Sequence, residues 1–351
     1  MSAAEHQEFT ASVRALLTKH ATSAAVRAGM DTDPGYDREL WRLLCEQIGV
    51  AALAIPEEYE GIGASIVESL LVVGELGRTL AGVPMLGSAV LGVEAVLLSG
   101  DTDAAARLLP AVARGAGTLA VCWAGADGWD EPGVDAGGEI LTGTAHYVLD
   151  GLQADTLIVV TTTGLFEVAG DAAGMTRRSV ATMDPTRKLA EISFDAVPAR
   201  RLGDRDPLVV AARLREIAWA AVAAEQVGAA RRCLELTVEY TKSRIQFGRA
   251  IGSFQALKHR MADMYVLVES AESASNAATV AVADGSPSAA EDVWAARIHC
   301  SEAFTTIVSE MVQMHGGIAI TWEHDAHLFF KRAHGDAHLF GTPRRPLTQP
   351  A

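Results

Sequence analysis

At 351 residues the chain has room for two or three domains, and 49% apolar against 21% charged residues describes a globular protein with ample core. Its 29 basic and 44 acidic residues leave a net charge of −15, which argues against a non-specific grip on nucleic acid or an anionic membrane. MSAAEHQEFT lacks the cationic start and apolar core of a signal peptide, and no apolar run reaches the roughly 18 residues of a membrane span. Cys45, Cys122, Cys233 and Cys300 lie far apart with no CxxC, the pattern of buried thiols in a reducing cytoplasm.

Residues 1–118 read as helices. Asp37 to Val50 has helical spacing, with Leu40, Leu43, Leu44 and Ile48 on one side, and Ile66 to Leu80 repeats the pattern after the Ile55-Pro56, Gly61 and Gly63 breaks. Residues 119–207 change character. Ile140-Leu141, Tyr147–Leu149, Leu157–Val160 and Ile192–Phe194 are short apolar or β-branched runs between Gly-Gly, Asp-Gly and Asp-Pro breakers, so they read as strands of a small β domain. Residues 208–351 return to helix in longer pieces. Ala211 to Ser243 holds no proline and one glycine, Gly228, and as one helix it spans roughly 50 Å. A second helix runs from Phe254 to Asp284. A third starts at Ser288 and Glu291, which match a capping box, and stops at Gly316-Gly317; a fourth follows Thr321.

Two stretches carry most of the chemistry: RIQFGRAIGSFQ (Arg244–Gln255) and QMHGG (Gln313–Gly317). Together with LWRLLCEQIGVAALAIPEEYEGIG (Leu40–Gly63), VGELGRTLAGVPML (Val73–Leu86), His259 and Ala262-Asp263, they resemble the acyl-CoA dehydrogenase family over almost the whole chain. The resemblance implies an α+β, mostly α fold: a helical domain, a small β domain and a four-helix bundle. It also implies that Arg244, Phe247, Gln255, Gln313, Gly316 and Gly317 grip the ADP half of an FAD belonging to the neighbouring subunit. The residue types suit that ligand. A guanidinium is a planar, permanently charged donor for a pyrophosphate. Gln255 and Gln313 each offer a donor and an acceptor. Glycine lets backbone approach closely, and Phe247 can pack on a flat ring. Taken singly, each has a plainer reading: a surface arginine, a core phenylalanine, a solvated glutamine, a helix C-cap.

Elsewhere the family pattern is lost. The run resembling T-E-P-x-A-G-S-D falls on Val121–Gly128, VCWAGADG, without its hydroxyls and carboxylates. The run resembling G-x-K-x-W-I-T-N falls on Gly143–Asp155, where Gly143, Ala154 and Asp155 persist, Tyr147 takes the tryptophan position and can stack, and Leu149 replaces the threonine at the flavin edge. Removing an acyl-CoA α-proton calls for a carboxylate of raised pKa. Its usual position, before Gly341-Thr342, holds Phe340, and the alternative position on the long helix holds Ala218. Glu216 points about 200° away from Ala218 around that helix. Glu225 reads as a buried hydrogen-bonding group and Asp336 as part of a solvated face. His324, His327, His334 and His338 share a helical face, read as polar surface or subunit contact and not as a metal site.

The groups that reach into a neighbour's site persist, and those of the chain's own site are gone. The resemblance therefore implies a catalytically silent partner in a mixed α2β2 acyl-CoA dehydrogenase, similar to the smaller subunits of actinobacterial steroid side-chain enzymes. Its FAD would have the flavin held by the other subunit, and its electron acceptor would be an electron-transfer flavoprotein. The alternatives are a homotetramer with a displaced base and a non-redox acyl-CoA-binding relative.

Overall fold

The computed structural model describes residues 2–32 and 35–343. Six helices come first: α1 (Ala3–His20), α2 (Ser23–Met30), α3 (Arg38–Leu43), α4 (Ile66–Thr79), α5 (Val93–Ser99) and α6 (Thr102–Ala113). Local chemistry starts them. Ser2 with Glu5 and Ser65 with Glu68 form capping boxes, and Asp37 and Asp101 cap α3 and α6 through their carboxylates. The helical spacing expected to run from Asp37 to Val50 breaks early. After Leu43 the chain widens into a π turn (Leu44–Ile48) that closes on Gly49 at φ 78°. Cys122, Cys233 and Cys300 are buried free thiols, as expected, but Cys45 in this π turn is only half-buried.

The strands are β1 (Leu119–Cys122), β2 (Val134–Gly137), β3 (Ile140–Leu149), β4 (Thr156–Val160), β5 (Leu165–Ala169), β6 (Met175–Val180), β7 (Leu189–Pro198) and β8 (Arg200–Leu202). They make two four-stranded sheets, β1-β4-β5-β8 and β2-β3-β7-β6, with β1 and β4 parallel and every other pair antiparallel. The first sheet is buried on both faces. Side chains alternate along a strand, so Ala120, Cys122, Leu157 and Val159 pack against the second sheet, while Leu119, Val121, Ile158 and Val160 join the helical core. Helices, sheet and sheet thus form three layers. The face of the first sheet that meets the helices also carries Trp123, and Leu149 at the end of β3 joins the same core.

The last part is helical: α7 (Pro207–Ser243), α8 (Gln255–Ala283), α9 (Ala289–His315) and α10 (Ala326–His338). Between α7 and α8 lies a two-stranded hairpin, β9 (Ile245–Gln246) and β10 (Arg249–Ala250). Asp206 caps α7 and Pro207 occupies its first turn, where a missing N–H does no harm. At 37 residues α7 is about 55 Å long. Its lone glycine has a packing reason: a Cβ on Gly228 would lie 1.9 Å from the Gly74 carbonyl oxygen, so α4 and α7 cross backbone to backbone. The expected capping box on α9 does not form. Ser288 is helical in φ/ψ and donates to Asp292 Oδ2 at 2.8 Å, leaving Glu291 no capping role.

Candidate functional site

The Arg244 and Gln313 segments meet at one end of the bundle. Arg244 is the residue just past α7; its backbone N–H bonds the Tyr240 carbonyl, and its carbonyl accepts from Ile251 N–H, which closes the hairpin loop. Phe247 and Gly248 turn that hairpin at φ 53° and 75°, and Phe247 stands 91% exposed. It is not the core residue of the plainer reading; its ring meets only the edge of Phe254, over which Arg249 sits at 4.0 Å. Gln255, at the start of α8, is exposed and bonds His259 at 2.9 Å. Gln313 lies exposed on the last turn of α9, and Gly316 ends that helix at φ 64° and ψ −142°, a conformation suited to glycine. Gly317 needs glycine for neither reason, since its φ is ordinary and a Cβ there would meet nothing within 4 Å. Its side of the bundle therefore leaves room for something outside this chain. Arg244 is exposed, and its guanidinium has no partner among the described residues. A free guanidinium, two exposed amides and an open glycine turn fit an anionic nucleotide end.

The sheet face behind this chain's own β domain is different. Phe340 sits in the left-handed region at φ 61° with its side chain 1% exposed, packed 5.8 Å from Trp123 and 6.1 Å from Trp129. Trp129 stacks on Tyr147 at 5.0 Å. A bulge in β3 between Ala145 and Val148 aims Tyr147 there, at φ 54°, and its hydroxyl donates to the Ala126 carbonyl. The Trp219 indole N–H donates to the Phe340 carbonyl at 3.0 Å, and buried Arg297 donates to the Asp336 and Leu339 carbonyls at 2.5 and 3.1 Å. The end of α10 is thus held by a buried cation on its terminal carbonyls. Ala218 is fully buried, and Leu149 is buried as part of the helical core. Aromatic and aliphatic side chains pack around Phe340 and Ala218.

Sequence reasoning missed a buried charge cluster beside this region. Arg332 on α10 bonds Asp184 at 2.5 Å, Glu225 on α7 at 2.7 Å and the Thr186 hydroxyl at 2.6 Å. Arg187 bonds Glu225 and, at 2.5 Å, Asp336. Glu225 is the buried bonding group its sequence context suggested. Asp336 is not on a solvated face: it is fully buried, because α10 turns that side toward α7 and the loop before β7. Burial pushes its carboxyl up to about 7, against the pull of Arg187, and its Oδ2 has no hydrogen-bond partner among the described residues. Burial likewise raises Asp150, next to Leu149, to about 7, with Arg187 partly opposing. It also raises Glu94 on α5 to about 7, with Arg213 opposing. Asp184 goes the other way: burial would raise it, but Arg332 and the Thr186 hydroxyl hold it below the usual carboxylate range. Nothing in the spacing of these residues announces the cluster, because its members come from three separate segments. The C-terminal histidines take separate partners: His324 packs on His315 at 4.5 Å, His327 on Trp322 and His334 on Phe330.

Family models agree with this layout. The acyl-CoA dehydrogenase N-terminal domain matches residues 3–116 and the C-terminal domain matches residues 215–344. Acyl-CoA dehydrogenase IpdE2 of Mycobacterium tuberculosis is 44% identical over 346 residues, covering 98% of this chain and 95% of the relative. The chain belongs to the acyl-CoA dehydrogenase family. Members of the family are FAD-binding flavoproteins and oxidoreductases. Among solved structures, the ChsE4-ChsE5 complex from Mycobacterium tuberculosis superposes with a TM-score of 0.88 at 29% identity, covering 98% of this chain and 95% of that one. The Tcur3481-Tcur3483 steroid ACAD gives a TM-score of 0.87 at 29% identity, covering 97% and 94%. No helix among the described residues is long and apolar enough to cross a membrane.

Proposed function

We propose that this chain is the non-catalytic subunit of a mixed acyl-CoA dehydrogenase. In this reading Arg244, Phe247, Gln255, Gln313, Gly316 and Gly317 complete the FAD site of a paralogous partner in an α2β2 tetramer. The partner holds the flavin and supplies the base that removes the substrate's α-proton. The observation that carries the reading is the contrast between the two ends of the molecule. The nucleotide-end groups are exposed, and the Arg244 guanidinium has no partner among the described residues, whereas Phe340 lies buried against Trp123 and Trp129 with its carbonyl held by Trp219. Loss of selection alone would not sort residues by which subunit's site they serve. Likeness to two structures whose names pair two different polypeptides supports a heteromer, and the steroid named for one of them makes a bulky acyl-CoA thioester the favoured substrate. An electron-transfer flavoprotein is the proposed acceptor. The test is a flavin-to-protein ratio. The chain purified alone should carry no flavin, and co-expressed with its partner it should give two flavins per four chains; a yellow homotetramer with one flavin per chain overturns the reading.

A second reading has its own observation. Asp150, a carboxyl near neutrality beside Leu149, is the kind of group a homotetramer with a displaced base requires. Dye-coupled acyl-CoA oxidation by the chain alone, abolished by Asp150→Asn, would establish it.

A further inference from the structure

Tyr240 and His315 join the two nucleotide-end segments. Tyr240 lies one helical turn before Arg244, whose backbone N–H it receives. Its ring stacks on His315 at 4.3 Å with planes 23° apart, and its hydroxyl donates to the His315 carbonyl at 3.3 Å. That carbonyl immediately precedes Gly316-Gly317. His315 is buried; its Nδ1 lies 2.7 Å from the Met311 carbonyl, which can only accept, so the proton is assigned to Nδ1, and Nε2 has no hydrogen-bond partner among the described residues. Burial keeps its pKa below the ordinary histidine value, which favours the neutral ring; that ring stacks on Tyr240 and packs tilted, at 47°, against His324. Tyr240 thereby bridges the two segments: its backbone carbonyl receives the Arg244 N–H at the end of α7, and its side chain holds His315 at the start of the glycine turn after α9.

We propose that Tyr240 and His315 are positioning residues that set the spacing between Arg244 and the Gly316-Gly317 turn for the ADP end of the partner's FAD. The inference rests on the reading that these segments meet a neighbour's cofactor. Neither ring need touch the ligand. A guanidinium on an exposed helix end and a glycine turn would otherwise move independently, and a dinucleotide bridging them would have to order both on binding. The stack makes that ordering part of the fold.

The experiment titrates FAD into the flavin-stripped complex of this chain with its partner and follows the quenching of flavin fluorescence, alongside the thermal midpoint of the flavin-free complex. Tyr240→Phe, which keeps the ring and loses the hydroxyl bond, should weaken FAD about 2- to 10-fold. Tyr240→Leu should weaken it about 10-fold or more. His315→Phe, which keeps a stacked ring, should retain FAD affinity, while His315→Ala should lose it as Tyr240→Leu does. A purely structural role predicts that affinity simply tracks the thermal midpoint across the four variants, and that result overturns the proposal. Arg244→Ala separates the two levels of inference. If it weakens FAD while Tyr240→Leu does not, positioning fails and the functional reading stands; if it leaves FAD affinity untouched, both fall. Should Tyr240→Leu fail to assemble, the Tyr240→Phe and His315→Phe pair decides.

Discussion

The hairpin end of α7 and the sheet face near its middle belong to one helix yet obey opposite rules. At the hairpin, Phe247, Ile245, Gln313 and Arg244 are exposed, and the large apolar side chains there find little cover within the chain. At the sheet face, Trp123, Phe340 and Leu149 are buried and the neighbouring charges are paired. Exposed polar groups are satisfied by water or by a ligand, whereas a packed aromatic cluster excludes both. The first region is open to something outside the chain, and the second is closed by the chain's own side chains.

Three measurements would break or sharpen that contrast. The largest effect should come from the finished side. Phe340→Ala removes a fully buried ring and should lower unfolding stability by about 3–5 kcal/mol in a urea titration, while the FAD content of the assembled complex stays the same. A lost flavin would mean that the cluster serves a cofactor after all. Next, Arg244→Ala should reduce FAD affinity of the complex by about 10- to 100-fold, the range for a hydrogen bond to a charged group, and change unfolding stability of the chain by no more than about 0.5 kcal/mol. A large stability loss would place Arg244 in the fold instead. The smallest effect is a pH slope. Asp336 has a folded pKa near 7, above its unfolded value of about 3.9. The folded state therefore holds that proton more tightly, and the group's favourable contribution is complete below about pH 4 and is lost as pH rises through about 7. The stability of wild type relative to Asp336→Asn should accordingly fall between about pH 4 and about pH 7, read by urea titration at each pH. A flat difference would show that Arg187 keeps the carboxylate charged throughout.

Much of the architecture was legible because it is periodic. The apolar spacing of Ile66–Leu80, the breaker-bounded runs of the strands and the proline-free stretch of α7 each report a local rule that tertiary packing did not overrule. The motif segments were legible because their residue types are rare in that order. The misses are of one physical kind. Asp336 reads as solvated because a charged residue on a helix usually is, and only the approach of Arg187 from a loop some 150 residues away buries it. The aromatic cluster was equally hidden, since Trp123, Trp129, Trp219 and Phe340 come from four segments. Its one local hint was Phe340 itself, a large apolar residue where the family pattern calls for an acid. Ser288 shows the reverse error, a capping signature outvoted by a hydroxyl that prefers Asp292.

Helix α7 carries Trp219, Glu225, Gly228, Tyr240 and Arg244 at its edge along one unbroken rod, and 25 residues separate the first from the last. That is a ruler of about 37 Å with a graduation of 100° per residue. Deleting a single alanine between Gly228 and Tyr240 would leave every contact upstream in place yet swing the arginine a quarter turn off its bearing. Length and phase, more than the identity of any solvent-facing side chain on the rod, are what evolution must leave alone.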